Sequence, residues 1–208
     1  MAELAMQLFE AAEEGNLEAL LACVAAGADP NQLHATTGGA VAPLHAACWA
    51  GHAHCAAALL IVGADLEVPG VFGLRPLHYA AGEGHLACLQ QLLASGAEVD
   101  ARSRRGATPL YEAAMDEPSE GRDGCVAALL AAGASPSVLG PDGWTPIAAA
   151  AQHGRLEPLQ QMLAADPAAA LLKTDAGQLP LGLALEQGHL LSARALLADG
   201  VLPPLHIA

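Results

Sequence analysis

The tripeptide Pro43-Leu44-His45 returns 33 residues later as Pro76-Leu77-His78, and its Pro-Leu core returns after 33 more as Pro109-Leu110. A fixed period of this length marks supersecondary units stacked in line, not a chain folded round one closed core. Echoes at Pro146-Ile147 and Pro180-Leu181 follow after 37 and 34 residues. With each proline counted as zero, small residues recur at plus four and plus five (Ala47-Cys48, Ala80-Ala81, Ala113-Ala114, Ala150-Ala151). Glycine recurs at plus eight (Gly51, Gly84, Gly154, Gly188), and a leucine-rich pair at plus sixteen and seventeen (Leu59-Leu60, Leu92-Leu93, Met162-Leu163, Leu196-Leu197). A second glycine closes the unit at plus twenty as Gly63, Gly96 and Gly200. The fourth unit falls into phase once four residues are inserted before Gly121, and a half-matched opening unit with Gly15, Asn16, Leu20 and Gly27-Ala28-Asp29 makes six.

One unit can be read physically. Thr108-Pro109 and Thr145-Pro146 are an N-cap followed by proline at the first helical position, where its missing N–H is not needed. A short helix starts there and ends by the first glycine. A second helix carries the leucine pair until the next glycine supplies a left-handed cap. Such a pair is too small to bury its apolar stripe alone, so neighbouring pairs must stack.

The pattern resembles that of the ankyrin-repeat family, roughly Gly-x-Thr-Pro-Leu-His-x-Ala-Ala-x-x-Gly-His with a later Leu-Leu pair and a Gly-Ala-Asp ending. Gly73-Leu74-Arg75-Pro76-Leu77-His78-Tyr79-Ala80-Ala81-Gly82-Glu83-Gly84-His85 departs from it chiefly at Arg75, and Gly27-Ala28-Asp29, Gly63-Ala64-Asp65 and Gly96-Ala97-Glu98 supply the endings. The resemblance implies an all-α solenoid of six helix-turn-helix units with hairpin-like loops, one array over residues 1–201. Its units run approximately over 5–36, 37–69, 70–102, 103–139, 140–173 and 174–201, followed by an apolar, proline-bearing tail at 202–208. It also implies that His45 and His78 act as hydrogen-bonding staples between units, and that His52, His85 and His189 belong to the Gly-His turn.

Composition narrows the function. Eight basic against 22 acidic residues give a formal charge of −14, which argues against nucleic acid as the main ligand, because neutralising phosphates needs many Lys and Arg. The same charge suits a basic protein partner, or simply keeps an Ala-rich array in solution. No run of about 18 uncharged apolar residues predicts a membrane span. Met1-Ala2-Glu3-Leu4 lacks the basic start of a secretory signal, so a cytoplasmic or nuclear monomer is expected.

Cys55, Cys88 and, allowing for the insert, Cys125 share position plus twelve, which predicts a ladder of buried free thiols on units too far apart for disulfides. The densest candidate metal cluster, Cys48, His52, His54 and Cys55, spans two helices without a second Cys-x-x-Cys half, so neither metal nor cofactor is expected. The chain has no nucleophile elbow, phosphate loop or His-Glu-x-x-His, which predicts a non-enzyme.

Function is therefore expected at the surface. In the resembling family, partners meet the hairpin tips and the exposed side of the first helix, at minus five, minus four, minus two, plus six and plus seven on the present count. Those positions hold Trp49, then Phe72 and Leu74, then Arg104, Arg105 and Met115, then Trp144 and His153, with Tyr79 able to join them from plus three. Both tryptophans fall in this set, which predicts an apolar stripe from Trp49 through Phe72 to Trp144, whereas Phe9 is expected in the core. Arg102, Arg104 and Arg105, with Arg75 one hairpin earlier, predict a basic tip for a carboxylate-bearing or phosphorylated segment, unless they pair with acids such as Asp100. The insert at 115–124 and the longer loop around Thr36-Thr37-Gly38-Gly39 are expected to emerge as loops. The expected role is an adaptor or blocking regulator; the competing roles are an assembly chaperone for a basic partner and an enzyme with an unrecognised site.

Overall fold

The computed structural model describes residues 2–36, 39–115 and 120–198. Among these, twelve α-helices follow one another in pairs. They are α1 (Ala2–Glu14) with α2 (Leu17–Ala25), α3 (Pro43–Ala50) with α4 (Ala53–Ile61), and α5 (Pro76–Glu83) with α6 (Leu86–Ala94). Then come α7 (Pro109–Ala114) with α8 (Glu120–Ala131), α9 (Pro146–Gln152) with α10 (Leu156–Ala165), and α11 (Pro180–Glu186) with α12 (Leu190–Leu196). Each first helix packs on the next first helix, from α1 on α3 through to α9 on α11, and the second helices do likewise from α2 to α12. Two helical layers result, with a continuous core between them.

The repeated residues account for this packing. All eight small residues at plus four and plus five are inaccessible to solvent, as are Leu59, Leu92, Leu129 and Met162 at plus sixteen. Side chains no larger than Ala or Cys let consecutive first helices approach closely, and the long plus-sixteen residues fill the space behind them.

Helix starts are secured in two interchangeable ways. Thr108 and Thr145 cap α7 and α9 with Oγ1, accepting from the N–H of Tyr111 at 3.2 Å and of Ala148 at 3.1 Å. At α3 and α5 the N-cap residues are Ala42 and Arg75, which make no side-chain cap. There the third helical residue reaches back instead, so that Nδ1 of His45 accepts from the Ala42 N–H at 3.0 Å and Nδ1 of His78 from the Arg75 N–H at 3.1 Å. With Nδ1 accepting, the ring proton sits on Nε2, which donates to Val68 O and Ala107 O respectively, both at 3.0 Å. One imidazole thus caps its own helix and ties it to backbone beyond its helix pair, at Val68 near the end of the same unit for His45 and at Ala107 in the next unit for His78. Burial pushes the pKa of both rings down to about 4, so they are neutral at ordinary pH. The last first helix, α11, has neither device: Leu179 stands at the N-cap and Gly182 at the third position.

The period breaks take unexpected forms. The longer loop after the first unit contains a two-stranded antiparallel pair, β1 (His34–Thr36) with β2 (Gly39–Val41), His34 facing Val41 and Thr36 facing Gly39. Thr37 and Gly38 lie outside the described residues, as do residues 116–119 of the insert. The rest of that insert is not a loop: α8 begins at Glu120 and runs through Gly121, Arg122, Asp123 and Gly124. Gly121 makes this possible, because a Cβ there would lie 2.3 Å from the carbonyl oxygen of Gly84. The end units also differ. Glu10, Glu13, Glu14 and Glu18 are exposed on the first, whereas the last exposes Leu185, Leu190, Leu191 and Leu197 beside its polar Glu186, Gln187 and Arg194. Residues 199–208, which include the tail, lie outside the description.

Candidate partner-binding surface

The first-helix layer and the hairpins beside it form a face of unusual composition. None of the eight basic residues of the chain lies on α1, α3, α5, α7, α9 or α11, whereas seven glutamates do. A groove of about 430 Å³ opens where α1, α3 and α5 meet the hairpins. Phe9 and Glu13 of α1, Trp49 of α3, Tyr79 of α5, and Val41 and Val71 line it. Trp49 is 50% exposed, an unfavourable state for so large an apolar surface without a partner. Tyr79 is fixed edge-on to His45 with ring centroids 5.3 Å apart, and Phe9 lies against the His34 ring at 5.0 Å.

Beside the groove, the hairpin tip presents Phe72, 61% exposed. Its φ of 55° is in the left-handed region, as is that of Asp142 (51°) in the corresponding hairpin two units on. A short polar side chain tolerates that conformation; a bulky aromatic one is strained by about 1–2 kcal/mol. The tips interlock, since Phe72 O accepts from Arg104 N at 2.9 Å and Asp142 O from Asp175 N at 3.0 Å.

Across the chain, a family model for ankyrin repeats matches three times, over residues 8–103, 44–138 and 110–205. The chain belongs to the ankyrin-repeat family. No individual curated protein matches it. Ankyrin repeats are generally protein–protein interaction modules and typically non-enzymatic, and the two-layer stack is the all-α solenoid that the repeat pattern predicts.

The ankyrin array gathers only part of the sequence-derived set. Trp49 and Tyr79 share the groove, Phe72 stands at the adjacent tip, and Arg104 and Arg105 are exposed one hairpin further along. Leu74 and Met115 are half-buried, and Trp144 packs against the core, so the stripe does not continue from Phe72 to Trp144. The hairpin there is closed by Gly140 N to Trp144 O at 2.7 Å and Trp144 N to Pro141 O at 2.9 Å, the same pair of backbone bonds that holds Leu74 two units earlier, in the array's third unit. His153 is exposed but lies on the fifth unit, away from the groove. Phe9 is half-buried: it packs against the core and also forms a wall of the groove.

The arginines separate likewise. Arg75 is ion-paired to Glu67 at 2.6 Å and to Glu98, whereas Arg102 donates to Leu139 O at 2.5 Å and stays exposed. Asp100 does not pair with them; its carboxylate accepts from Ser135 N at 3.1 and 3.2 Å, while burial pushes its pKa up. Arg102, Arg104 and Arg105 are all exposed at that hairpin.

Several of the histidines and cysteines serve the stacking. His85 donates to Trp49 O at 2.9 Å and His189 to Gln152 O at 3.1 Å, each reaching position plus six of the preceding unit. His54 bonds Gly15 O at 2.9 Å. All five cysteines are free and buried. Cys88 and Cys125 donate to Ala47 O (3.9 Å) and Ala80 O (3.8 Å), again one unit back, and burial raises the Cys125 pKa to about 12. Within the group Cys48, His52, His54 and Cys55, both thiols are buried in the core while His54 turns to Gly15 O. Among the described residues no helix is long and apolar enough to cross a membrane.

Two features escape the sequence reading. Glu13 occupies in α1 the position that Trp49 holds in α3, a match visible once Gly15 is aligned with Gly51. Arg155 replaces the histidine of the Gly-His turn in the fifth unit, and is 1% exposed. Its guanidinium donates to Ala113 O at 3.3 Å and Met115 O at 3.0 Å and is ion-paired to Asp123. It thus reaches plus six of the preceding unit as the histidines do, and also clamps the helical part of the insert. The signal was the departure at Gly154-Arg155 from Gly-His.

Proposed function

We propose that the protein is an adaptor or blocking regulator that grips one protein partner across the first-helix face and the adjoining hairpin tips. The observation that carries this reading is the juxtaposition of two exposed aromatic rings, Trp49 in the groove and the strained Phe72 at the tip. Strain that packing does not require is retained where a surface is used. Arg104 is hydrogen-bonded through its backbone to Phe72, so a carboxylate-bearing or phosphorylated stretch of the same partner would meet Arg104 and Arg105 beside the aromatic contact. Leu74, Tyr79 and Met115 frame this surface, with Trp144 and His153 towards its far edge.

A partner captured from native lysate, then titrated against purified protein, provides the test. Trp49→Ala with Phe72→Ala should weaken binding by at least tenfold while leaving circular dichroism unchanged. An affinity within twofold of wild type would move the site off this face. The absence of Lys and Arg from all six first helices favours a second reading, an assembly chaperone for a basic partner. In that case affinity would fall steeply between low and physiological salt whatever the state of Trp49.

A further inference from the structure

The groove combines two requirements that few side chains meet together. Phe9, Trp49 and Tyr79 offer ring surface above an apolar floor of Val41 and Val71, while Glu13 places an exposed carboxylate on the same rim. No Lys or Arg lies on α1 or on any other first helix to neutralise that carboxylate. A purely apolar occupant would strip water from Glu13 without replacing it. An acidic occupant would be repelled by Glu13 and by its exposed neighbours Glu10, Glu14 and Glu83. A long cationic side chain fits both halves: its methylenes lie along the rings and valines, and its head sits over an aromatic face within reach of Glu13. The volume, about 430 Å³, has room for one long side chain.

Resting on the interaction-module reading above, we infer that this groove receives a lysine or arginine side chain projecting from an otherwise apolar segment of the partner protein. The cation and the Trp49 ring then act as one anchor. The partner's basic residue sets register on the array while its flanking apolar residues reach Phe72.

The test is selection from a random-peptide display library on the full-length chain, followed by titration of the winning peptides made synthetically. The expected result is a shared basic residue flanked by apolar ones. Replacing that residue with norleucine should weaken binding about fivefold or more. Glu13→Gln should weaken the basic peptide and leave the norleucine peptide unchanged; exchanging Lys for Arg in the peptide decides which head group is preferred. Winning peptides without a basic residue, equal affinity of the norleucine peptide, or no selected peptide at all would overturn the cation. If binding then still collapsed with Trp49→Ala, the interaction face would stand without it. If binding survived both Trp49→Ala and Phe72→Ala, the face itself would fall too.

Discussion

At the scale of single residues, the side chains that matter most do two tasks each. His45 and His78 each cap a helix and hold backbone that follows their own helix pair, and both depend on being neutral. Their pKa in the fold is about 4, below the ordinary 6.5, so the unfolded chain takes up protons that the native state refuses. The stability they support is complete above about pH 6.5, is lost progressively as pH falls, and is fully lost below about pH 4. Urea titrations should show unfolding free energy declining by up to ~3 kcal/mol per histidine across that window, with a shallower slope in a His45→Gln, His78→Gln variant. Arg155 is the opposite case, a buried charge that must keep its partner. Arg155→Met should cost about 3–5 kcal/mol, since Asp123 and two carbonyls lose their donor. Arg155→His should recover part of it by restoring the shorter reach to Met115 O, and the same urea titration would show a cost equal to that of Met if that contact carried nothing.

Helices α3, α5, α7 and α9 resemble one another because each begins at proline with one capping device behind it. Threonine at the N-cap and histidine at the third position substitute for each other in the sequence because both supply one acceptor to an orphan N–H. Helix α11 has neither, and is the place to add one. Leu179→Thr should stabilise the protein by about 0.5–1 kcal/mol, and Thr145→Ala should destabilise it by about 1 kcal/mol or more, both read as shifts in the urea midpoint at constant slope. A null result at Leu179 would mean that its half-buried side chain contributes as much packing as a cap would return.

For the whole molecule, stability is carried from unit to unit, because neighbouring helix pairs are stapled at plus two, plus nine or plus twelve. An array of this kind frays from its ends. The uncapped α11 and the exposed leucines beside it make the last pair weakest, so amide hydrogen exchange should be fastest in α11–α12 and slowest in α5–α7. Equal protection of α11–α12 and α5–α7 would show that the array unfolds as one cooperative body.

The sequence by itself determined the two-layer architecture, since a period of 33 with small residues at plus four and five and leucines at plus sixteen has one efficient way of burying its apolar atoms. It also placed the thiol ladder and the histidine staples, which repeat with the unit. Tertiary structure decided what depends on a side chain's neighbours from other units. Trp49 and Trp144 are both aromatic residues of variable surface positions, yet one stands in a groove and the other folds onto the core. Arg75 and Arg104 belong to equivalent stretches, yet carboxylates from two units reach only the first. The insert turned out half helical because Gly121 meets the Gly84 backbone and Arg155 reaches Asp123. Periodicity encodes contacts made identically in every unit; contacts made once need coordinates, because nothing in a repeat announces which partner lies within reach.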